Sequence, residues 1–291
     1  MPTIFQDKVT VGPVTFNDPL VPPLTAGVVS WGLDVLVGWD RTPDLDAQFT
    51  AIGSVDGEVF ADFFPAQGRQ LTCGGWAMGV DRATAQSLAD LIVRDAFPRN
   101  VDLIISRYEP TPKFIVARRN GPVEITWVGP NQFRWGAEVR AGNPFKYALV
   151  PYVDSAGVAG QSSGGRSYKR TYPLTYTTIS SGESNRIVVT NAGTADSRNF
   201  TIAITGPLTK GGWRLVNETT NEILRFDISL ASTDTLLIDF DTETALFNGF
   251  PVTATITGDF FALKPGVNVL KLYGDYDPAA DFTLTAYSAW E

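Results

Sequence analysis

The stretch "FFALKPGVNVLKLYGD", Phe260–Asp275, decides how the fold is read. It places a Pro-Gly pair before an alternating run, with an asparagine two residues after the glycine. Pro265 holds φ near the value wanted at the second position of a β-turn, and Gly266 tolerates the positive φ that a type II turn needs at the third. Leu263 and Lys264 lead in, and Val267 to Tyr273 lead out with a period of two. The expectation is a tight turn feeding a strand. The stretch holds no nucleophile, no base and no metal-ligand set.

The same grammar extends outward from this turn. Period-two runs occur at Phe200-Ile202-Ile204, Phe226-Ile228-Leu230, Leu236-Ile238-Phe240, Val252-Ala254-Ile256 and Phe282-Leu284-Ala286. Turn signals separate them at "GPLTKGG", "NETTN", Asn248-Gly249 and "KPG". Short alternating strands at regular spacing predict an antiparallel β-sandwich over residues 171–291. Upstream lies "VDSAGVAGQSSGGRSYKR", Val153–Arg170, rich in Gly and Ser and without hydrophobic period. It reads as a linker, which gives domains at 1–152 and 171–291.

The first domain reads as mainly β with one helix. Residues 1–48 are Pro-rich and irregular, and "VGPVTFNDPLVPPLTAG" excludes a helix. Phe49–Ser54 and Glu58–Phe63 flank Asp56-Gly57, a hairpin signal. In "CGGWAMGVDRATAQSLADLIVRDAFPRN", Asp81 can cap a helix whose Ala85, Leu88, Ile92 and Ala96 share one face, and Pro98 closes it. The glycines of "CGGWAMG" read as a strand-to-helix turn, without the spacing of a dinucleotide-binding loop. Val101, Leu103 and Ile105 alternate. "KFIVARRNGPVEITWVG" reads as a hairpin turning at Asn120-Gly121. "QFRWGAEVR" places Phe133, Trp135, Ala137 and Val139 on one face and Gln132, Arg134, Glu138 and Arg140 on the other.

Composition bounds the chemistry. The chain has 291 residues, is 44% hydrophobic and 19% charged, and can bury real cores. A net charge of −8 argues against phosphate backbones and membrane surfaces as partners. "ARR", Ala117–Arg119, is the best basic patch and reads as a charged hairpin tip. With no histidine, Ser-His-Asp and Cys-His catalysis are impossible. Two-carboxylate glycosidase chemistry survives formally. The lone cysteine, Cys73, forms no intramolecular disulfide and reads as a buried thiol. No export signal is expected from "MPTIFQDKVT", and no apolar run reaches the ~18 residues of a membrane span.

Few residues offer a site. Asp275, Asp277 and Asp281 crowd "GDYDPAADF" without the spacing of a calcium loop. Asp239, Asp241 and Glu243 in "IDFDTE" read as a solvated strand end. Neither a metal nor a cofactor is expected. Aromatics in turns can stack on sugars, and the candidates are Trp213, Tyr273 and Tyr276.

The order of these elements resembles the distal tail (Dit) family of long, non-contractile phage tails. The resemblance is carried by "GGRSYKRTYPLTY", "NAGTADSRNFTIAITGP", "LVNETTNEILRFDISLASTDTLLIDFDTETALFNG", the opening stretch and "FTLTAYSAWE". Leu263, Pro265, Gly266 and Asn268 fit the family's L-x-P-G-x-N turn, while "AGNPFKYAL" resembles the end of its ring-forming domain. The resemblance covers nearly all the chain after about residue 50. It implies a structural, non-enzymatic virion protein at the tail tip, made in the host cytoplasm. It further implies a homohexameric N-terminal ring with a central channel for DNA, and a galectin-like or carbohydrate-module-like C-terminal sandwich. Implied partners are the tail tube protein, the tail hub or tail-associated protein, the tape measure protein and receptor-binding proteins. The alternative is a carbohydrate-binding adhesion module using Trp213, Tyr273 and Tyr276.

Overall fold

The computed structural model describes residues 7–18, 27–45, 49–51, 58–60, 66–157, 185–208, 212–273 and 280–291. The chain divides into two compact units. Unit 1 is Met1–Leu149 with Trp290–Glu291, and unit 2 is Val150–Ala289.

Unit 1 contains β1 (Val9–Val11), β2 (Val14–Phe16), β3 (Val28–Val37), β4 (Phe49–Ala51), β5 (Glu58–Phe60) and β6 (Arg69–Gly79). After helix α1 (Arg82–Leu91) follow β7 (Leu103–Arg107), β8 (Lys113–Trp127), β9 (Gln132–Ala141) and β10 (Lys146–Ala148). The main sheet runs β2-β1-β7-β8-β9-β6-β3, with β10 on β8, while β4 and β5 pair separately; Asp56-Gly57 lies outside the described residues.

Alternation buries one face of this sheet. Phe133, Trp135, Ala137 and Val139 of β9 join Leu71, Cys73 and Ala77 of β6 and the helix residues Ala85, Leu88 and Ile92 in one core. Asp81 caps α1 as expected: its carboxylate accepts from the Thr84 amide at 2.8 Å. The helix then loosens into one π turn, Ile92–Ala96, before Phe97.

Three expectations for unit 1 need correction. Residues 1–48 are not wholly irregular, since β1, β2 and β3 lie there. Two register shifts in β3, at Val28/Ser30 and Leu33/Val35, break the period that would have announced it. The Asn17 carboxamide then acts as a substitute strand residue. It donates to the Leu33 carbonyl at 2.7 Å and accepts from the Leu33 amide at 3.0 Å, tying the end of β2 to β3. A Cβ on Gly32 would sit 2.9 Å from that Asn17 oxygen, so the clip requires glycine there.

Second, "CGGWAMG" is the end of β6, not a turn; the turn into α1 falls at Val80-Asp81. Third, Asn120-Gly121 makes no hairpin, because β8 runs straight through it. Lys113–Ala117 pair with β7 and Arg118–Trp127 with β9, with a register shift between Arg119 and Val123. The glycine, with φ of +154°, serves a bulge within the pairing of β8 with β9. "ARR" is therefore mid-strand rather than a tip, and Arg118 pairs with Asp102 across the surface.

Unit 2 contains β11 (Tyr152–Gly157), β12 (Arg186–Asn191), β13 (Phe200–Thr205), β14 (Trp213–Asn217), β15 (Glu222–Phe226) and β16 (Thr235–Asp239). These are followed by β17 (Thr244–Phe247), β18 (Phe250–Pro251), β19 (Ile256–Gly258), β20 (Gly266–Tyr273) and β21 (Asp281–Ala286). One sheet runs β11-β21-β13-β16-β17-β18 and the other β12-β20-β14-β15-β19. Their inward residues share one core, so the antiparallel sandwich stands. Phe200 stacks on Phe240 at 4.1 Å and Trp213 on Phe226 at 4.0 Å. Trp290–Glu291 belong to unit 1, and the last strand, β22 (Ala289–Trp290), pairs with β10 in its sheet.

Here too the boundaries move. Residues 153–157, read as the start of the linker, lie in β11 and pair with β21, so the division falls at Leu149/Val150. Residues 158–170 lie outside the described residues. Phe226-Ile228-Leu230 is not one strand: β15 stops at Phe226, and Leu230 meets Leu208 in a lone bridge. Val252-Ala254-Ile256 gives way to a 3-10 turn at Thr253–Thr255. Pro251 has no N–H to continue the ladder, and the Thr253 hydroxyl accepts from the Ala245 amide at 3.0 Å instead. Asn248-Gly249 does form a hairpin, with φ of +48° and +84°.

The opening stretch behaves as its chemistry demands. Gly266 has φ of +95° and β20 begins there. Asn268, fully buried, locks the turn: its amide donates to the carbonyls of Lys264 at 2.7 Å and Gly266 at 3.1 Å, and its oxygen accepts from the Lys264 amide at 3.0 Å. The final residue of the L-x-P-G-x-N pattern is thus the clasp of the turn.

Candidate functional site

In unit 1, β9 presents Arg134, Glu138 and Arg140 outward, opposite its buried aromatic face. Arg134 approaches Asp34 at 3.6 Å, and Gln70 donates to Glu138 at 3.3 Å. Between them Gly136 faces Gly74 of β6, and a Cβ on Gly136 would meet nothing within 4 Å. Val35 of β3 lies opposite Gly74 and Val37 opposite Thr72, and both valines are exposed. The result is a shallow strip of glycine and valine rimmed by charges of both signs, which suits contact with another protein surface.

Beside this strip lies a cleft of about 400 Å³ lined by Arg41, Asp44, Gln67, Arg69, Gln70 and Arg140 among others. Arg69 is 4% exposed, yet its charge meets backbone rather than carboxylate. Its Nε donates to the Pro144 carbonyl at 2.8 Å, and Nη1 donates to Gly38 at 2.9 Å, to Trp39 at 3.2 Å and to Arg41. Lys146, also buried, donates to the same Trp39 carbonyl at 2.9 Å. Burial lowers both pKa values, and the neighbouring Arg69 lowers that of Lys146 further. These two cations organise the Gly38–Arg41 turn.

The predicted aromatic site does not assemble as expected. Trp213 is not an exposed turn residue but the first of β14. It is 1% exposed, stacked on Phe226, and donates to the Ile228 carbonyl at 2.8 Å. Its ring has no free face for a sugar. The parity was legible: Trp213, Leu215 and Asn217 all point inward. Tyr273 is half-buried on the outer face of β20, and its hydroxyl donates to Glu218 at 2.7 Å. Tyr276 lies outside the described residues.

The carboxylate candidates are structural where they are described. Asp239 accepts from the amides of Asp241 at 2.9 Å and Thr242 at 3.3 Å, and Glu243 pairs with Arg198 at 2.5 Å. Asp281 is exposed at the start of β21, while Asp275 and Asp277 lie outside the described residues. Among the described residues no cluster of three metal-ligating side chains occurs. Cys73 is buried in the sheet core, and burial pushes its thiol up to about 12.

Residues 192–288 match the family described as "Siphovirus-type tail component, C-terminal domain". Among solved structures, the SPP1 Dit protein, described as a paradigm of the hub adsorption apparatus in phages infecting Gram-positive bacteria, aligns over 97% of this chain and 98% of its own. Its identity to this chain is 15% and the TM-score is 0.65. A chain of the phage p2 baseplate, in its activated conformation with Sr, aligns over 96% of this chain and 97% of its own, at 11% identity and a TM-score of 0.51. Comparison with curated proteins gave no match. The chain is therefore similar over residues 192–288 to the siphovirus-type tail component C-terminal domain, and over nearly its whole length it shares the fold of the SPP1 Dit protein.

Proposed function

We propose that this protein is a structural distal tail component of a siphophage virion, joining the tail tube to the tail tip or baseplate as a closed ring around a DNA channel. The observation that carries the reading is the match of residues 192–288 to the tail-component family, on a chain whose full length aligns with the SPP1 hub protein. In this reading unit 1 forms the ring. A head-to-tail contact between identical subunits must either close or run on as a filament, and a tube end requires closure. The strip on β9, with Arg134, Glu138 and Arg140, supplies a mixed-charge surface for such a contact. Six copies, the tube, hub and tape measure proteins as neighbours, and receptor-binding proteins beyond them follow from the family reading. The role is structural rather than enzymatic.

Imaging of whole virions tests this. The expected result is density for this chain in a six-fold ring at the distal end of the tube; any other position overturns it. Purified protein mixed with its tube protein should also form a closed ring. Reversing Arg134 and Arg140 to Glu should abolish that ring while leaving the fold intact. The alternative, a carbohydrate-binding adhesion module, keeps one supporting observation, the outward Tyr273.

A further inference from the structure

The cations of unit 2 are segregated. Its described residues include six Lys and Arg: Arg186, Arg198, Arg214, Arg225, Lys264 and Lys271. Arg198 pairs with Glu243 and Lys264 with Asp196, both at 2.5 Å. The other four all stand on the outer face of the sheet β12-β20-β14-β15-β19. Strand register proves the shared face: Arg186 lies opposite Lys271, and Tyr273, Arg214, Arg225 and Thr257 form one row across four strands. Glu218 stands against this cluster: it receives the Tyr273 hydroxyl and lies 3.8 Å from both Arg186 and Lys271.

Arg214 and Arg225 are directly opposite each other on adjacent strands, and both are exposed. Neither has a carboxylate partner among the described residues. Like charges placed directly opposite destabilise a sheet. Folding alone gives no reason for this pair in a chain of net charge −8. The Arg214 guanidinium sits 5.0 Å from the Tyr273 ring centroid, and the Lys271 ammonium also sits 5.0 Å from it. The ring thus has two cations 5.0 Å from its centroid, and its hydroxyl is anchored by Glu218.

We infer that this face binds an anionic polysaccharide, with Arg214 and Arg225 taking the acidic groups and Tyr273 the sugar ring. Guanidinium forks match carboxylate and phosphate oxygens in two-point contacts. Neighbouring strands lie about 4.8 Å apart, so Tyr273 to Arg225 spans about 10 Å along one straight row, which fits an extended polymer better than a compact ligand. The exposed Val188 and Val267 add apolar ground on the same sheet for the C–H faces of sugars. The inference stands on charge and register and does not require the ring.

The test uses the full-length protein and immobilised polymers: polygalacturonate for carboxylate, a phosphomannan for phosphodiester, dextran as the neutral glycan and poly-L-glutamate as the acidic peptide. Binding is expected to polygalacturonate or the phosphomannan, to weaken between 50 and 200 mM salt as electrostatic contacts do, and to be absent on dextran. The two anionic arms separate the carboxylate source from the phosphate source. Arg214→Gln with Arg225→Gln should weaken binding at least tenfold, while the thermal midpoint stays equal or rises because the like-charge pair is gone. Tyr273→Phe keeps the ring and should retain most of the affinity, whereas Tyr273→Ala should lose several-fold. No binding to either acidic glycan, equal or tighter binding to poly-L-glutamate, or unchanged affinity in the double variant would each overturn the inference. Poly-L-glutamate binding would instead make the face a protein-docking surface.

Discussion

The two units solve the same problem, how to hold a tight turn against a core, with opposite chemistries. Unit 2 buries neutral carboxamides. Asn268 clasps the Lys264–Gly266 turn, and Asn191 does the same nearby, donating to the carbonyls of Ala195 at 2.8 Å and Leu263 at 3.0 Å. Unit 1 buries cations, with Arg69 and Lys146 converging on the carbonyls of Gly38–Arg41. A carboxamide needs no counter-charge. A buried guanidinium carries a desolvation cost that its backbone bonds only partly offset. The comparison teaches that the clasps of one unit carry no charge, while the other unit has a turn held by charged side chains.

The largest expected effect follows from removing the cation with most partners. Arg69→Leu strands the carbonyls of Pro144, Gly38 and Arg41 and leaves that of Trp39 to Lys146 alone. At about 1–3 kcal/mol for each buried group left unpaired, with partial relaxation, a loss of about 4 kcal/mol is expected in unit 1. Hydrogen exchange resolved by peptide should show protection falling across β6 and β9 and unchanged in β13 and β16. Uniform loss in both units would erase the distinction drawn between them.

Asn268→Ala comes next. It unpairs the Lys264 amide and the carbonyls of Lys264 and Gly266 at the edge of the sandwich, where water can reach part of the turn. A loss of about 2 kcal/mol is expected, confined to unit 2. Urea unfolding followed at β20 by exchange would check it. An equal loss at β6 would show the units to be coupled.

These clasps mark where the sequence was readable and where it was not. The Pro-Gly turn was legible because φ preferences act locally. The role of Asn268 was missed, although its parity with Leu270 and Leu272 places it inward. Polar residues at inward parity are the signal for such clasps, and Trp213 was misplaced by neglecting the same rule. Two Asn-Gly pairs show the limit of local signals. Asn248-Gly249 turns a hairpin, while Asn120-Gly121 lies inside β8, because pairing with β7 and β9 on either side outweighs the dipeptide. β3 escaped notice because its bulges disrupt alternation, and bulges answer to neighbouring strands rather than to local sequence. The outward charges of β9 followed from strict alternation. The row of Tyr273, Arg214 and Arg225 did not, since it exists only once three strands are in register.

The smallest effect isolates charge itself. The Lys146 pKa is lowered in the fold by burial and by Arg69. A base with a lower pKa folded than unfolded carries fewer protons when folded, so the folded form gains as pH rises. The gain should appear in the window just below the ordinary lysine value of 10.5 and end once the unfolded chain has also lost its proton. Cys73 opposes it: its thiol is raised to about 12 from 9.0, so unit 1 loses stability as pH climbs above 9.0. The measurement therefore belongs in a Cys73→Ala background. There, unit 1 stability should rise with a slope below about 1.4 kcal/mol per pH unit, the limit for one proton. Lys146→Met should flatten that slope. The Asn268 turn of unit 2 has no titrating clasp and should show no slope from this source. A unit 1 slope that survives Lys146→Met would mean that the buried cations are not what makes its turn depend on pH.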